Sequence, residues 1–332
     1  MCVAVSGCCQ FSGPRWHGRR TDHFDGEHFQ NQVETHIGDL DVVRWRVNRH
    51  PGPWPKWAEV TPGPPPPERS QELRVTFVNH ATVLIQLEGV NLLTDPVFAD
   101  VVGPTWYIGR ERHRPPGIRF EDLPPIDAVL ISHDHYDHLD MEALQRLHRK
   151  FNPRIYAGLG MRKLLYLSGV HNVIELDWFK WAPLRSLRVT GVPARHGCRR
   201  GACDRNARLW LGFLVRSRSG DVYFAGDTGA GPHFQQIRDR YGPPALALLP
   251  ISPGLPHALF APVHLDAHDA VWAARVLGAR RSIPIHFGTF SQGDEGDGEA
   301  EAKLRREAGP DWTILHNGES WGLTTRPAGG GS

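Results

Sequence analysis

The sequence predicts an α/β protein of the α+β kind: two β-sheets with helices packed outside them, preceded by an extended N-terminal arm. Three observations predict it. Short strand-like runs with polar breaks crowd the first part of the chain after about residue 73. Strand-like and helix-like segments alternate in the later part. Finally, 332 residues with 40% hydrophobic and 22% charged content are ordinary for a globular protein, and long enough for a sizeable core.

Residues 1–72 carry Gly, Pro, Trp and charge without a sustained period and are read as an arm. Within it, Pro51-Gly52-Pro53-Trp54-Pro55 and Pro62-Gly63-Pro64-Pro65-Pro66-Pro67 predict polyproline-type connections lying on a surface. The main domain is placed at 73–326 and a flexible tail at 327–332. Val75–Val78, Val83–Leu87 and Asn91–Thr94 read as the first strands, and Asp127–Ser132 as a buried one. Met141–Lys150 has helical spacing, with Leu144 and Leu147 on one side and Asp140 as N-cap. Further strands are expected at Leu187–Val192, Leu209–Val215, Val222–Ala225, Ala245–Pro250 and Ser282–His286. Helices are expected at His233–Tyr241 and Asp266–Leu277, the second stopped by Gly278.

The formal net charge is only +2, so no strong field singles out nucleic acid as a partner. Arg199-Arg200 and Arg110-x-Arg112-x-Arg114 are short and read as solvated faces or phospholipid headgroup contacts. The five cysteines, an odd count in a large chain, argue against a disulfide framework; Cys198 and Cys203 lie close enough to pair in an oxidising compartment, but are expected as free thiols. No apolar run approaches the ~18 residues of a transmembrane helix. Val5-Ser6-Gly7-Cys8 looks like the end of a lipoprotein signal, yet only seven residues precede Cys8 and none is basic. A lipid anchor there requires a start further upstream, so location is left open between cytoplasm and membrane periphery.

The chemistry concentrates in His133-Asp134-His135-Tyr136-Asp137-His138, directly after the apolar run Ala128–Ser132. Four metal-binding side chains lie within six residues at the end of a strand, too compact a pattern for the 19 histidines to produce by composition alone. Imidazole with carboxylate suits zinc or a similar divalent ion. On a tight loop, His133 and His135 reach one metal while Asp137 and His138 reach a second. Such a two-metal site activates water and clamps an ester or phosphate oxygen.

One loop cannot fill two coordination spheres. His196, Asp227 (in Gly226-Asp227-Thr228-Gly229) and His286 each follow an apolar strand, where loops carry chemistry. Singly, each reads as an ordinary turn or loop residue. Together the ligands divide sensibly: His133, His135 and His196 on one metal, Asp137, His138 and His286 on the other, with Asp227 bridging.

In this order and spacing the ligands resemble those of the metallo-β-lactamase superfamily. The segments Asn79-His80-Ala81-Thr82, Leu92–Pro96, Leu123–Ser132, Val173–Trp178, Phe224–Gly229 and Ile285–Phe290 are similar to the N-acylphosphatidylethanolamine-hydrolysing phospholipase D family. The resemblance runs over roughly residues 73–290; the arm before residue 70 and the loop Cys198–Asn206, where lipid contacts are expected, depart from it. It implies an αββα sandwich with a dinuclear site at one edge. The implied activity is phosphodiester hydrolysis releasing an N-acylethanolamine and phosphatidic acid. Asp137 and Asp227 stand in the implied catalytic centre, and His264, in His264-Leu265-Asp266, is implied as a phosphate contact or proton donor. A surface histidine beside a helix-capping Asp266 is the alternative reading of that segment. Asp95 and His80 are expected to support the ligands. Water is the attacking group, so no Ser or Cys nucleophile is sought.

The implied partner is a phospholipid or other phosphodiester, with association at a membrane surface and a homodimer left open. Rival hydrolases use the same metals: a lactonase or phosphodiesterase of small soluble substrates, a β-lactamase, a thioesterase, or a ribonuclease, which needs a basic exosite. A different class, a metal-binding membrane-surface scaffold without turnover, accords poorly with a complete ligand set.

Overall fold

The protein is described by a computed structural model over residues 9–35 and 37–322. Cys8, with its lipoprotein likeness, and the 327–332 tail lie outside the described residues. The strands in chain order are β1 (Arg74–Asn79), β2 (Thr82–Leu87), β3 (Val90–Thr94), β4 (Val101–Thr105), β5 (Ile108–Glu111), β6 (Ala128–Ile131), β7 (Arg154–Gly158) and β8 (Val173–Leu176). There follow β9 (Trp181–Leu184), β10 (Leu187–Val192), β11 (Gly212–Arg216), β12 (Val222–Phe224), β13 (Leu246–Pro250), β14 (Ser282–Ile285) and β15 (Ser320–Gly322). They form a seven-stranded sheet, β15-β1-β2-β3-β6-β7-β8, a six-stranded sheet, β14-β13-β12-β11-β10-β9, and the separate β4-β5 hairpin.

Alternation along each strand builds the layers. On β6, Ala128 and Leu130 join the core shared with the second sheet, whereas Val129 and Ile131 meet Leu144 and Leu147 of the helix Met141–Phe151. On β2, Val83 and Ile85 point inward and Leu84 outward. Both faces of the first sheet are therefore covered, which is why these strands read as continuous apolar runs. Helices His233–Tyr241 and Ala267–Leu277 send Phe234, Ile237, Ala270 and Ala274 toward the second sheet, completing the αββα sandwich. Asp140 caps its helix by accepting from Ala143 N at 3.0 Å, and Asp266 does the same for Asp269 N at 2.9 Å. Gly278 ends that second helix at φ +66°.

Several elements escape the sequence reading. Helix Glu299–Glu307 is mostly charged, with Leu304 its one buried residue, so it shows no apolar stripe. Helix Asp39–Asn48 lies in a stretch read as an arm without a sustained period, and the β4-β5 hairpin in a stretch without clear alternation. Strand β11 begins at Gly212 rather than Leu209, because Leu209 N and Leu211 N bond across to Leu159 O and Ser132 O.

The start of the arm packs into the main core. Phe24 and Phe29 are fully buried within it. His23 stacks on Trp178 with centroids 4.3 Å apart and bonds Asp177 Oδ1 at 2.8 Å and Asp22 Oδ1 at 2.6 Å. Cys9 is joined to Cys203 with Cα atoms 5.3 Å apart, while Cys198 stays a buried thiol bonded to Arg208 O. This corrects the expected free Cys203: a partner 194 residues away has no local signature.

Burial disfavours the charged His23, but the bonds to Asp177 and Asp22 outweigh it and raise its pKa. Its contribution to stability is thus complete below pH ~6.5 and lost as pH rises through the raised folded value. Urea midpoints should therefore fall more between pH 6 and pH 9 in the wild type than in His23→Gln. Equal falls would remove His23 from the account.

Candidate metal centre

The site forms where strands of both sheets end. His133, His135, Asp137 and His138 occupy the loop after β6; His196 follows β10, Asp227 follows β12 and His286 follows β14. Tight backbone aims them. His286, His80 and Asp95 take φ values of +62°, +46° and +30°, uncommon for residues with a Cβ and typical of strained functional loops. Gly226, at φ +59°, leaves room that a Cβ would not: it would sit 2.4 Å from Ser132 Cβ.

The structure brings all seven sequence-derived residues together. His133 Nε2 lies 2.9 Å from His135 Nδ1, which lies 3.1 Å from His196 Nε2. On the other side, His138 Nε2 and His286 Nε2 are 3.1 Å apart and lie 3.3 and 3.4 Å from Asp137 Oδ2. Asp227 Oδ2 stands between, 3.1 Å from His138, 3.2 Å from His286, 3.7 Å from His196 and 3.8 Å from His133. His264 Nδ1 is also 3.8 Å from that oxygen and has no hydrogen-bond partner.

The outer nitrogens are fixed from behind. His138 Nδ1 donates to Asp95 Oδ2 at 2.7 Å, and Asp95 also accepts from Ser132 N and Oγ. Ser132 Oγ, committed as donor to Asp95, accepts from His133 Nδ1 at 2.9 Å. His196 Nδ1 donates to Val263 O at 2.9 Å. These bonds set the tautomers and leave Nε2 of each ring facing inward, as a metal site requires.

Electrostatics fit a cation. Neutral ring nitrogens 3 Å apart oppose lone pairs, an arrangement that a shared positive charge relieves. Burial pushes His133 and His135 below the usual imidazole range and His196 down to about 3, so these rings are neutral. At His138 and His286 burial is outweighed by Asp227 and Asp137, which raise His138 well above its ordinary value and His286 to about 9. Against burial, the nearby His138 holds both Asp137 and Asp227 well below the carboxylate range. The carboxylates thus demand positive charge here, and Asp227 Oδ1 is buried without any hydrogen-bond donor. Among the described residues, the groups that could hold ions include His133, His135 and His196 and, sharing no residue with them, His80, Asp137, His138 and His286.

His80, expected to support the ligands, bonds Asp137 Oδ2 through Nε2 at 3.1 Å; a participant not singled out, Gln292, donates through Nε2 to the same oxygen at 2.6 Å. Gln292 sits in a polar loop with no motif around it. The expected arginine faces are corrected. Arg112 is buried on Ala99 O, Arg114 pairs with Asp297, and Arg110 donates to Ser291 O at 2.7 Å. Arg200 stacks on Tyr136 at 4.0 Å and bonds Asp134 O and Leu139 O. Only tertiary packing shows these as internal braces.

Comparison with known proteins identifies the family and the fold. A family model described as "Beta-lactamase superfamily domain" matches residues 90–287. A Caenorhabditis elegans protein named N-acyl-phosphatidylethanolamine-hydrolyzing phospholipase D 1 is 38% identical over 67% of this chain. The match spans 65% of that relative's own length. A UPF0173 metal-dependent hydrolase of Rubrobacter xylanophilus is 30% identical over 65% of this chain and 82% of its own. Among solved structures, Igni18, a metallo hydrolase of Ignicoccus hospitalis, superimposes with TM-score 0.59 over 76% of this chain and 99% of its own, at 20% identity. With this match, fold and clustered histidines and carboxylates, the chain belongs to the β-lactamase superfamily, as a metal-dependent hydrolase with the metallo-β-lactamase fold.

Proposed function

We propose that this hydrolase is a phosphodiesterase of the phospholipase D type, cleaving N-acylphosphatidylethanolamine-like phospholipids at a membrane surface to an N-acylethanolamine and phosphatidic acid. The observation that carries the reading is an apolar rim beside the metal centre. Helix Asp39–Asn48 exposes Leu40, Val43 and Val47, spaced to share one face, and the β4-β5 tip exposes Trp106, Tyr107 and Ile108. Both elements brace one loop: Arg49 donates to Ser291 Oγ, Trp45 Nε1 to Asp294, and Arg110 to Ser291 O. From that loop Gln292 reaches Asp137. Among the described residues no helix is long and apolar enough to cross a membrane, so this rim supports contact with a lipid surface rather than insertion across it. The nematode relative's name supports the same substrate class.

His133, His135 and His196 would hold one divalent ion and Asp137, His138 and His286 the second, with Asp227 between; imidazole and carboxylate donors favour zinc. Bound there, the ions would activate water at neutral pH and neutralise phosphoryl charge. Asp227 orients the groups around the shared point. His264, 3.8 Å from Asp227, would meet a phosphoryl oxygen and assist the departing alcohol.

The test is release of N-acylethanolamine from vesicles by zinc-loaded and chelator-stripped protein. Release is expected only with metal. Leu40→Glu with Val47→Glu should lower turnover on vesicles about tenfold or more while sparing a short-chain soluble analogue. Metal-dependent cleavage of soluble esters or lactones without vesicle turnover would replace the lipid by a small substrate, a reading the relative named only as a metal-dependent hydrolase keeps open.

A further inference from the structure

His196 is held from the opposite end of the chain. Asn31 Oδ1 accepts from His196 N at 3.0 Å, and Asn31 Nδ2 donates to His196 O at 2.7 Å. One side-chain amide thus closes both backbone bonds of a candidate ligand, as a neighbouring strand would. The same oxygen also accepts from Trp210 Nε1 at 3.0 Å. His196 lies beyond β10, where no ladder partner remains to fix its backbone.

Asn31 is itself anchored. Arg195 Nε donates to Thr35 Oγ1 and Arg195 Nη2 to Glu34 O, fastening the segment just after it. Just before it, Phe29 is buried and its N–H bonds Asn206 O at 2.8 Å. Further back lies the Cys9–Cys203 link. The arm residues of this network, Cys9, Phe29, Asn31, Glu34 and Thr35, lie outside residues 90–287, the part that matches the superfamily, and their partners lie within it.

We propose that Asn31 is a positioning residue for the metal centre: the N-terminal arm supplies an amide that sets the His196 backbone and completes the His133, His135, His196 corner. The inference rests on the reading of that corner as a metal site. A ligand free to drift loosens its metal, and loss of such outer partners commonly costs about 10- to 100-fold in metal affinity or activity.

The experiment compares wild type, Asn31→Ala and Gln32→Ala by zinc competition against a chromophoric chelator and by the visible spectrum of the cobalt(II)-loaded protein. Asn31→Ala should keep a cooperative melt, because Trp210 Nε1 retains Ala194 O at 3.1 Å. It should weaken at least one zinc about tenfold or more and change the cobalt spectrum, with kcat lowered more than KM is raised. Gln32→Ala, in the same segment, should match wild type in all three. Should Asn31→Ala fail to fold, Asn31→Asp keeps the shape and both accepted bonds, loses the donated bonds to His196 O and Thr35 Oγ1, and sets a carboxylate oxygen against His196 O. It should show the same kind of spectral change. Zinc affinity and a cobalt spectrum unchanged in a folded Asn31 variant would overturn the inference and leave the metal site standing. A wild type that binds no divalent ion would overturn the metal site and the inference with it.

Discussion

Asp227→Asn is expected to lower hydrolysis on the order of 10³-fold while the far-ultraviolet circular dichroism stays that of the wild type. Asparagine has the same shape but lacks the charge and replaces one acceptor oxygen with a donor. Asp227 Oδ2 lies within 3.1–3.8 Å of ring nitrogens of His133, His138, His196, His264 and His286. Asp137, by contrast, touches His138, His286 and His80 on one side of the cluster. Without its charge, His138 and His286 lose the main force that raises them. A buried amide NH2 would then point toward a place that needs an acceptor. Metal content should fall with activity, and added chelator should make little further difference. Undiminished turnover by a metal-loaded variant would remove Asp227 from the centre.

Arg208→Met is expected to cost about 3–5 kcal/mol of folding stability, the second large effect. Arg208 is fully buried, with Nε on Asp134, Nη2 on Asp204 and Nη1 on Pro14 O. Asp134 stands between His133 and His135 but turns away from the cluster to this pair and to Arg199 N at 2.9 Å. Asp204 accepts as well from Gly13 N at 2.7 Å and Gly201 N at 2.8 Å. One guanidinium therefore joins the metal loop, the 198–206 loop and the arm. Methionine fills much of the volume but strands two buried carboxylates. Against burial, the backbone N–H donors and Arg208 depress the pKa of Asp204. That stabilisation is present above its unfolded value near pH 4 and lost as pH falls through the folded value. The variant should lose part of this acid-sensitive component. Denaturant melts at pH 7 and pH 4 check both; a loss under ~1 kcal/mol at pH 7 would mean that the pair is not held as described. Neutralising Asp134 and Asp204 to Asn in the same chain should recover part of the loss, because uncompensated charge rather than a missing contact causes most of it.

The two variants separate what was readable in the chain from what was not. Asp227 was visible because it ends an apolar strand in a Gly-Asp-Thr-Gly turn; Arg208 was not, because of its partners only Asp204 is near, the others lying 74 residues away in the metal loop and 194 away in the arm. The His133–His138 loop was legible for the same reason as Asp227. So were the helix Met141–Phe151, with its Asp140 cap, and the Gly278 stop.

By itself, then, the sequence determined what depends on near neighbours: strand alternation, helix period, caps, and the order of ligands along the chain. Tertiary structure alone decided the rest. It turned Asp134 away from the metals and toward Arg208, drew Gln292 to Asp137, placed Asn31 behind His196, joined Cys9 to Cys203, and left Leu40, Val43 and Val47 exposed beside the site. The physical reason is range. A periodic pattern or a cap acts over one turn or one pleat and is written in adjacent residues. A buried ion pair or a clamp across the sandwich exists only once both sheets have packed and brought its distant partners within about 3 Å.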